Sequence, residues 1–139
     1  MNIYLDIDGV LLANDLTPAN YAKEFLATVL TEYPYTTYWL TTHCDGDASV
    51  PIKHIGHLFD NETVELMKKI KPTSWQTAKT RAIEFDRPFL WFDDDLFFEE
   101  KEALVKRGML DNWIKVDLSK DPNQLANFVV SFPLPVVMS

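Results

Sequence analysis

The sequence predicts a layered α/β domain in which a central parallel sheet is flanked by helices. Three observations lead there. Apolar strand-like runs alternate with amphipathic helical runs, the pattern of a sheet built through helical crossovers. One run, PFLWF at residues 88–92, is continuously apolar, as a strand covered on both faces must be. Three strand runs also end in polar groups, Asp6 and Asp8, Thr41 and Thr42, and Asp93, Asp94 and Asp95. Parallel strands would collect all three ends on one edge, where ligands of such sheets bind.

The elements follow in order. Residues 2–7 read as a first buried strand, stopped near Gly9. Thr17-Pro18 suits a helix start, with proline in the first turn. AKEFLATVLTEY then carries Phe25, Leu26, Val29 and Leu30 at helical spacing, until Pro34. TTYWLT at 36–41 is β-branched and aromatic, a second strand. HCDGD is loop-like, SVPIKHIGHLF reads as a short helix with Pro51 in its first turn, and Asn61 is expected to cap ETVELMKKI. A further short helix is expected over Thr77–Phe85, before PFLWF. FFEEKEALVKRG reads as a helix ended by Gly108, WIKVDL as a fourth strand, and 121–131 as a last helix before the apolar tail PLPVVMS.

Length and composition bound the function. The 139 residues suit a single domain, 1–139, with a real core. An apolar content of 47% argues against disorder. A net charge of −8 disfavours a general nucleic-acid grip, which needs a basic footprint. One cysteine, Cys44, leaves no internal disulfide and suits a reducing compartment. The N-terminus lacks a basic start and a small-residue cleavage site, and no apolar run reaches membrane-spanning length. A soluble, cytoplasmic protein is expected.

The chemistry is concentrated in the carboxylates. On a strand, Asp6 and Asp8 point to the same face, and their repulsion has to be offset by a proton or a cation. Clustered carboxylates suit a hard oxygen-seeking cation, above all Mg²⁺. Asp6, the backbone carbonyl at Asp8, and Asp93 or Asp94 could supply the oxygens. A carboxylate can also act as a nucleophile toward phosphorus, with a second one moving the proton.

DIDGV after an apolar strand, WLTT, a lysine, and LWFDDD stand in the order seen in the haloacid-dehalogenase-like (HAD-like) hydrolases, which the chain resembles over residues 3–95. The resemblance implies a three-layer Rossmann-like fold and a Mg²⁺-dependent phosphatase working through an aspartyl-phosphate. It makes Asp6 the nucleophile and Asp8 the general acid/base. Thr41, with Thr42 beside it, and Lys79 would bind the substrate phosphate, with Lys71 the alternative lysine. Asp6, Asp8, Asp93 and Asp94 would hold Mg²⁺, and Asp95 would sit at a helix start. The short connections leave no room for a separate cap domain, so the site should be open to a bulky phosphorylated substrate, or to a lid from another subunit of an oligomer.

Plainer readings stand beside these. Asp6 and Asp8 flank a glycine turn, and Thr41 fits simple strand propensity. His43, Cys44, His54 and His57 match no established zinc spacing. Trp75 is expected to pack in or beside the core rather than to stack on a ligand. Two other functions compete: a non-catalytic HAD-like binding or regulatory protein that keeps the metal site, and a receiver domain, whose motif order is the reverse. No GxxxxGK[ST] is present for a P-loop kinase.

Overall fold

The structure is a computed structural model that describes residues 1–132; the tail PLPVVMS lies outside the described residues. The strands are β1 (Asn2–Leu5), β2 (Thr37–Trp39), β3 (Phe89–Asp93) and β4 (Trp113–Lys115), and the helices are α1 (Ala22–Glu32), α2 (Ser49–Ile55), α3 (Asn61–Met67), α4 (Phe98–Lys106) and α5 (Gln124–Val130). The four strands pair in the order β2-β1-β3-β4, all parallel. The chain leaves β1 to one side for β2 and returns on the other side for β3. This reversal makes the C-terminal ends of β1 and β3 a topological switch point, the place where open α/β sheets bind ligands.

Alternation along the strands fills both layers. Ile3, Leu5, Leu90 and Phe92 join Phe25 and Leu26 of α1, Met67 of α3 and Phe128 of α5 in one cluster. Tyr4, Phe89 and Trp91 face the other way, against Ile83 and, on α4, Leu104. β1 and β3 are therefore buried on both faces, and each large apolar side chain removed from water there contributes about 1.5–3 kcal/mol. Phe92 also meets Phe25 edge-on, with ring centroids 5.2 Å apart, and Phe128 at 5.1 Å.

Several boundaries differ from the sequence expectation, each for a local reason. α1 begins at Ala22 rather than near Pro18, because Pro18 is held in an antiparallel bridge to Leu12 and Asp15 ties down Thr17 through its backbone and hydroxyl. The cap of α3 is Asp60, whose carboxylate accepts from the Thr63 N–H at 2.8 Å, and Asn61 is the first helical residue. The expected helix over Thr77–Phe85 is only a 3₁₀ turn, Lys79–Ala82. Tertiary partners take the amides that a helix would have used: Glu100 accepts from the Lys79 N–H and the Tyr4 hydroxyl from the Glu84 N–H. β4 stops at Lys115 because the Gln124 side chain accepts from the Asp117 N–H at 2.6 Å and donates to the Lys115 carbonyl at 2.8 Å. β2 gives way to a turn in which the Cys44 N–H donates to the Thr41 carbonyl. Trp75 packs against the second cluster, as expected.

None of the helices among the described residues is long and apolar enough to cross a membrane. Between β2 and β3 the chain forms two short helices, α2 and α3, and two 3₁₀ turns.

Candidate active site

The site grows from the ends of β1 and β3. These strands are neighbours, with Leu5 in register with Phe92, so the next residues, Asp6 and Asp93, come to the same edge of the sheet. The Asp6 N–H donates to the Phe92 carbonyl at 3.0 Å, which carries the pairing one residue beyond the strand. Carboxylate oxygens of Asp6, Asp93 and Asp94 lie within 4.8 Å of one another. Asp6 and Asp93 are buried, and Asp94 is on the open side.

One cation faces them. Lys79 Nζ lies 2.6 Å from Asp93 Oδ2 and 3.4 Å from Asp6 Oδ1, and is itself largely buried. Asp93 is further held by the Trp91 Nε1–H, which donates at 3.1 Å, and by the Asp95 N–H at 3.3 Å. Asp95 precedes α4 by three positions and binds its neighbour's backbone, so it is not the helix-start residue expected from the sequence.

The electrostatics follow from burial and crowding. Burial first, then the charge of Asp6, raises Asp93 to about 7 despite Lys79. Burial, and the hydrogen bond that the protonated Asp94 donates to Asp93, raise Asp94 to about 6. Asp6 is also raised, by burial more than Lys79 can offset. Lys79 loses solvation too, but the attraction of Asp6 and Asp93 leaves its pKa raised and the ammonium charged. Three carboxylates against one ammonium carry an anionic excess of two when all are ionised. A divalent cation would match that excess, and a set of carboxylate oxygens suits a hard cation. Asp6, Asp93 and Asp94 could together hold such a metal ion.

Two side chains that the sequence did not single out hold the arrangement. Glu100 is buried on α4 and accepts from the N–H groups of Lys79 and Phe97 at 2.9 and 3.1 Å, fixing the turn that presents Lys79. Its sequence signal was its place in the first turn of a helix, where a carboxylate returns to the free amides. Trp91 sits inside an apolar strand, and nothing in the pattern distinguishes its indole N–H from a core ring.

The other predicted residues lie around this centre. The Asp8 carboxylate is about half exposed and meets His43 Nε2 at 2.8 Å rather than the acidic cluster. His43 in turn stacks on His54, with ring centroids 4.0 Å apart. Thr41 is buried just past β2, and its hydroxyl oxygen accepts from the His43 N–H at 3.2 Å. Thr42 is exposed. Lys71 is exposed as well, and its backbone pairs with Thr37 and Trp39, so it serves the edge of β2. Cys44 is buried, with its thiol toward the carbonyls of Asp47 and Thr73.

Gly9 lies close against Asp94. It has φ +81°, and a Cβ there would fall on the Asp94 carboxylate. Gly9→Ala is therefore expected to cost about 1–2 kcal/mol for the backbone alone, and to push Asp94 out of the cluster. Urea unfolding would show the first effect. Weaker Mg²⁺ binding by calorimetry would show the second.

No protein-family model, curated protein or solved structure matches the chain. The site has to be understood from its own residues.

Proposed function

We propose that the protein is a Mg²⁺-dependent phosphomonoester hydrolase of the HAD-like type, acting through an aspartyl-phosphate on Asp6. The observation that carries this reading is the meeting of Asp6, Asp93, Asp94 and Lys79 at the switch point of the sheet. Asp6, Asp93 and Asp94 would hold Mg²⁺, which supplies charge neutralisation and polarisation of a phosphoryl oxygen when bound.

The chain's own groups account for the remaining steps. An Asp6 oxygen attacks phosphorus, and the bond from phosphorus to the ester oxygen breaks. Asp8 gives its proton to that leaving oxygen. Water then attacks the phosphorus of the aspartyl-phosphate, Asp8 takes the water's proton, and phosphate leaves with Asp6 restored. Lys79 stabilises charge on the phosphoryl oxygens, and the Thr41 hydroxyl is a further donor to them. Asp8 is about half exposed and in contact with His43, and an acid/base open to solvent would suit a bulky phosphorylated substrate.

The experiment is hydrolysis of p-nitrophenyl phosphate with Mg²⁺ and with EDTA. Turnover with Mg²⁺ that EDTA removes is expected. Turnover indifferent to EDTA would overturn the metal role. No turnover of this probe or of a panel of phosphorylated proteins, sugars and nucleotides would favour a binding protein that keeps the metal site.

A further inference from the structure

Of the proposed catalytic carboxylates, Asp8 has the least support. Its backbone is fixed, since Asp8 bridges Leu12 and the next residue, Gly9, donates its N–H to the Leu12 carbonyl at 2.8 Å. Its side chain is 52% exposed, and His43 supplies its one hydrogen bond among the described residues. An exposed carboxylate without a partner turns between rotamers. A general acid has to present one oxygen to the leaving group in a fixed place.

His43 supplies that constraint, because its backbone and its ring are held separately. The His43 N–H donates to the hydroxyl oxygen of Thr41, which is fully buried. The imidazole stacks on His54, with the ring planes 23° apart. His54 stands on α2, which is anchored by buried Pro51 and Ile55. The ring held in this way meets Asp8 Oδ2 through Nε2 at 2.8 Å.

The contact has a chemical use. With its proton on Nε2, His43 donates to Oδ2, so the acid's own proton is kept on Oδ1. No protein group competes for Oδ1 among the described residues. The same bond persists when Asp8 is ionised and takes a proton from water. The backbone contact serves the neighbouring group: it fills an acceptor position on the Thr41 oxygen and leaves the hydroxyl proton for a phosphoryl oxygen.

We infer that His43 is a positioning residue, which holds the Asp8 carboxylate so that Oδ1 delivers the proton to the leaving oxygen. The inference rests on the phosphatase reading and adds to it the group that orients the acid.

Kinetics with Mg²⁺ on p-nitrophenyl phosphate and phenyl phosphate test it. In the proposed reaction kcat/KM reports the steps up to departure of the phenol. An acid matters most there for a phenol that leaves badly as an anion. p-Nitrophenol leaves readily unaided, and phenol does not. His43→Leu should therefore lower kcat/KM for phenyl phosphate by about 10–100-fold, and for p-nitrophenyl phosphate far less. His43→Gln carries an amide N–H as many bonds from the chain as Nε2, and should restore most of the loss. His54→Ala removes only the stack, and should show the same leaving-group pattern at smaller size. A displaced loop does not distinguish leaving groups, so equal losses on the two esters would overturn the inference. So would a Gln variant no better than Leu, or no loss in either. The wild type alone tests the reading beneath: if it hydrolyses neither ester, the phosphatase reading falls and this inference with it.

Discussion

Asp6→Asn is expected to lower Mg²⁺-dependent phosphatase turnover by about 10³-fold or more, while leaving the metal-free protein no less stable. The two halves have different causes. The activity loss follows from the proposed nucleophile: an amide oxygen in the same place attacks phosphorus far less readily than a carboxylate. The stability half follows from burial. Asp6 is raised above its ordinary value because losing water costs its charge more than Lys79 returns. A neutral side chain of the same shape removes that cost, together with the repulsion from Asp93 and Asp94. Lys79 keeps its 2.6 Å contact with Asp93 in the variant. Parallel assays and thermal melts in EDTA separate the effects. Turnover surviving the substitution would remove Asp6 as the nucleophile. A large drop in melting temperature would instead mean that Asp6 mainly anchors Lys79.

The contrast between what was and was not legible in the sequence is physical. The four strands and their parallel arrangement could be read because β1 and β3 are covered on both faces, and a doubly buried strand leaves a continuous apolar run. The carboxylates could be read as a group because parallel strands deliver their ends to one edge. Boundaries were lost where a distant side chain replaced a backbone partner. Gln124 ends β4, and Glu100 with the Tyr4 hydroxyl prevents a helix after Thr77. Neither event leaves a mark in local propensity. The contact of His43 with Asp8 was hidden for a similar reason, since it joins loops 35 positions apart. Of the two lysines weighed, Lys79 lies at the cluster because Glu100 fixes the backbone beneath it, whereas the Lys71 backbone is spent on pairing with β2.

The second large effect is on pH dependence. Metal-free protein should lose stability as pH rises from about 4 to about 7, and Asp93→Asn should flatten that slope. Asp93 is raised from 3.8 to about 7 and Asp94 to about 6. Between those values and 3.8 the folded chain keeps protons that the unfolded chain has released. The folded state therefore binds more protons, and stability must fall with rising pH until both states are ionised. Each tenfold gain in a carboxylate's proton affinity on folding is worth about 1.4 kcal/mol. The carboxylates are coupled to one another and to Lys79, and solvent screening discounts the share of exposed Asp94, so the expected total is on the order of 2–3 kcal/mol rather than the sum of independent contributions. Mg²⁺ should reverse the trend, because it binds the ionised form and stabilises only the fold that gathers the three oxygens. Its stabilisation should thus be larger at pH 8 than at pH 5, and should largely vanish in Asp93→Asn. Urea unfolding at the two pH values, with Mg²⁺ and with EDTA, measures all of this. A metal-free stability that does not fall would mean that Lys79 alone balances the cluster, leaving no anionic excess for a cation to meet.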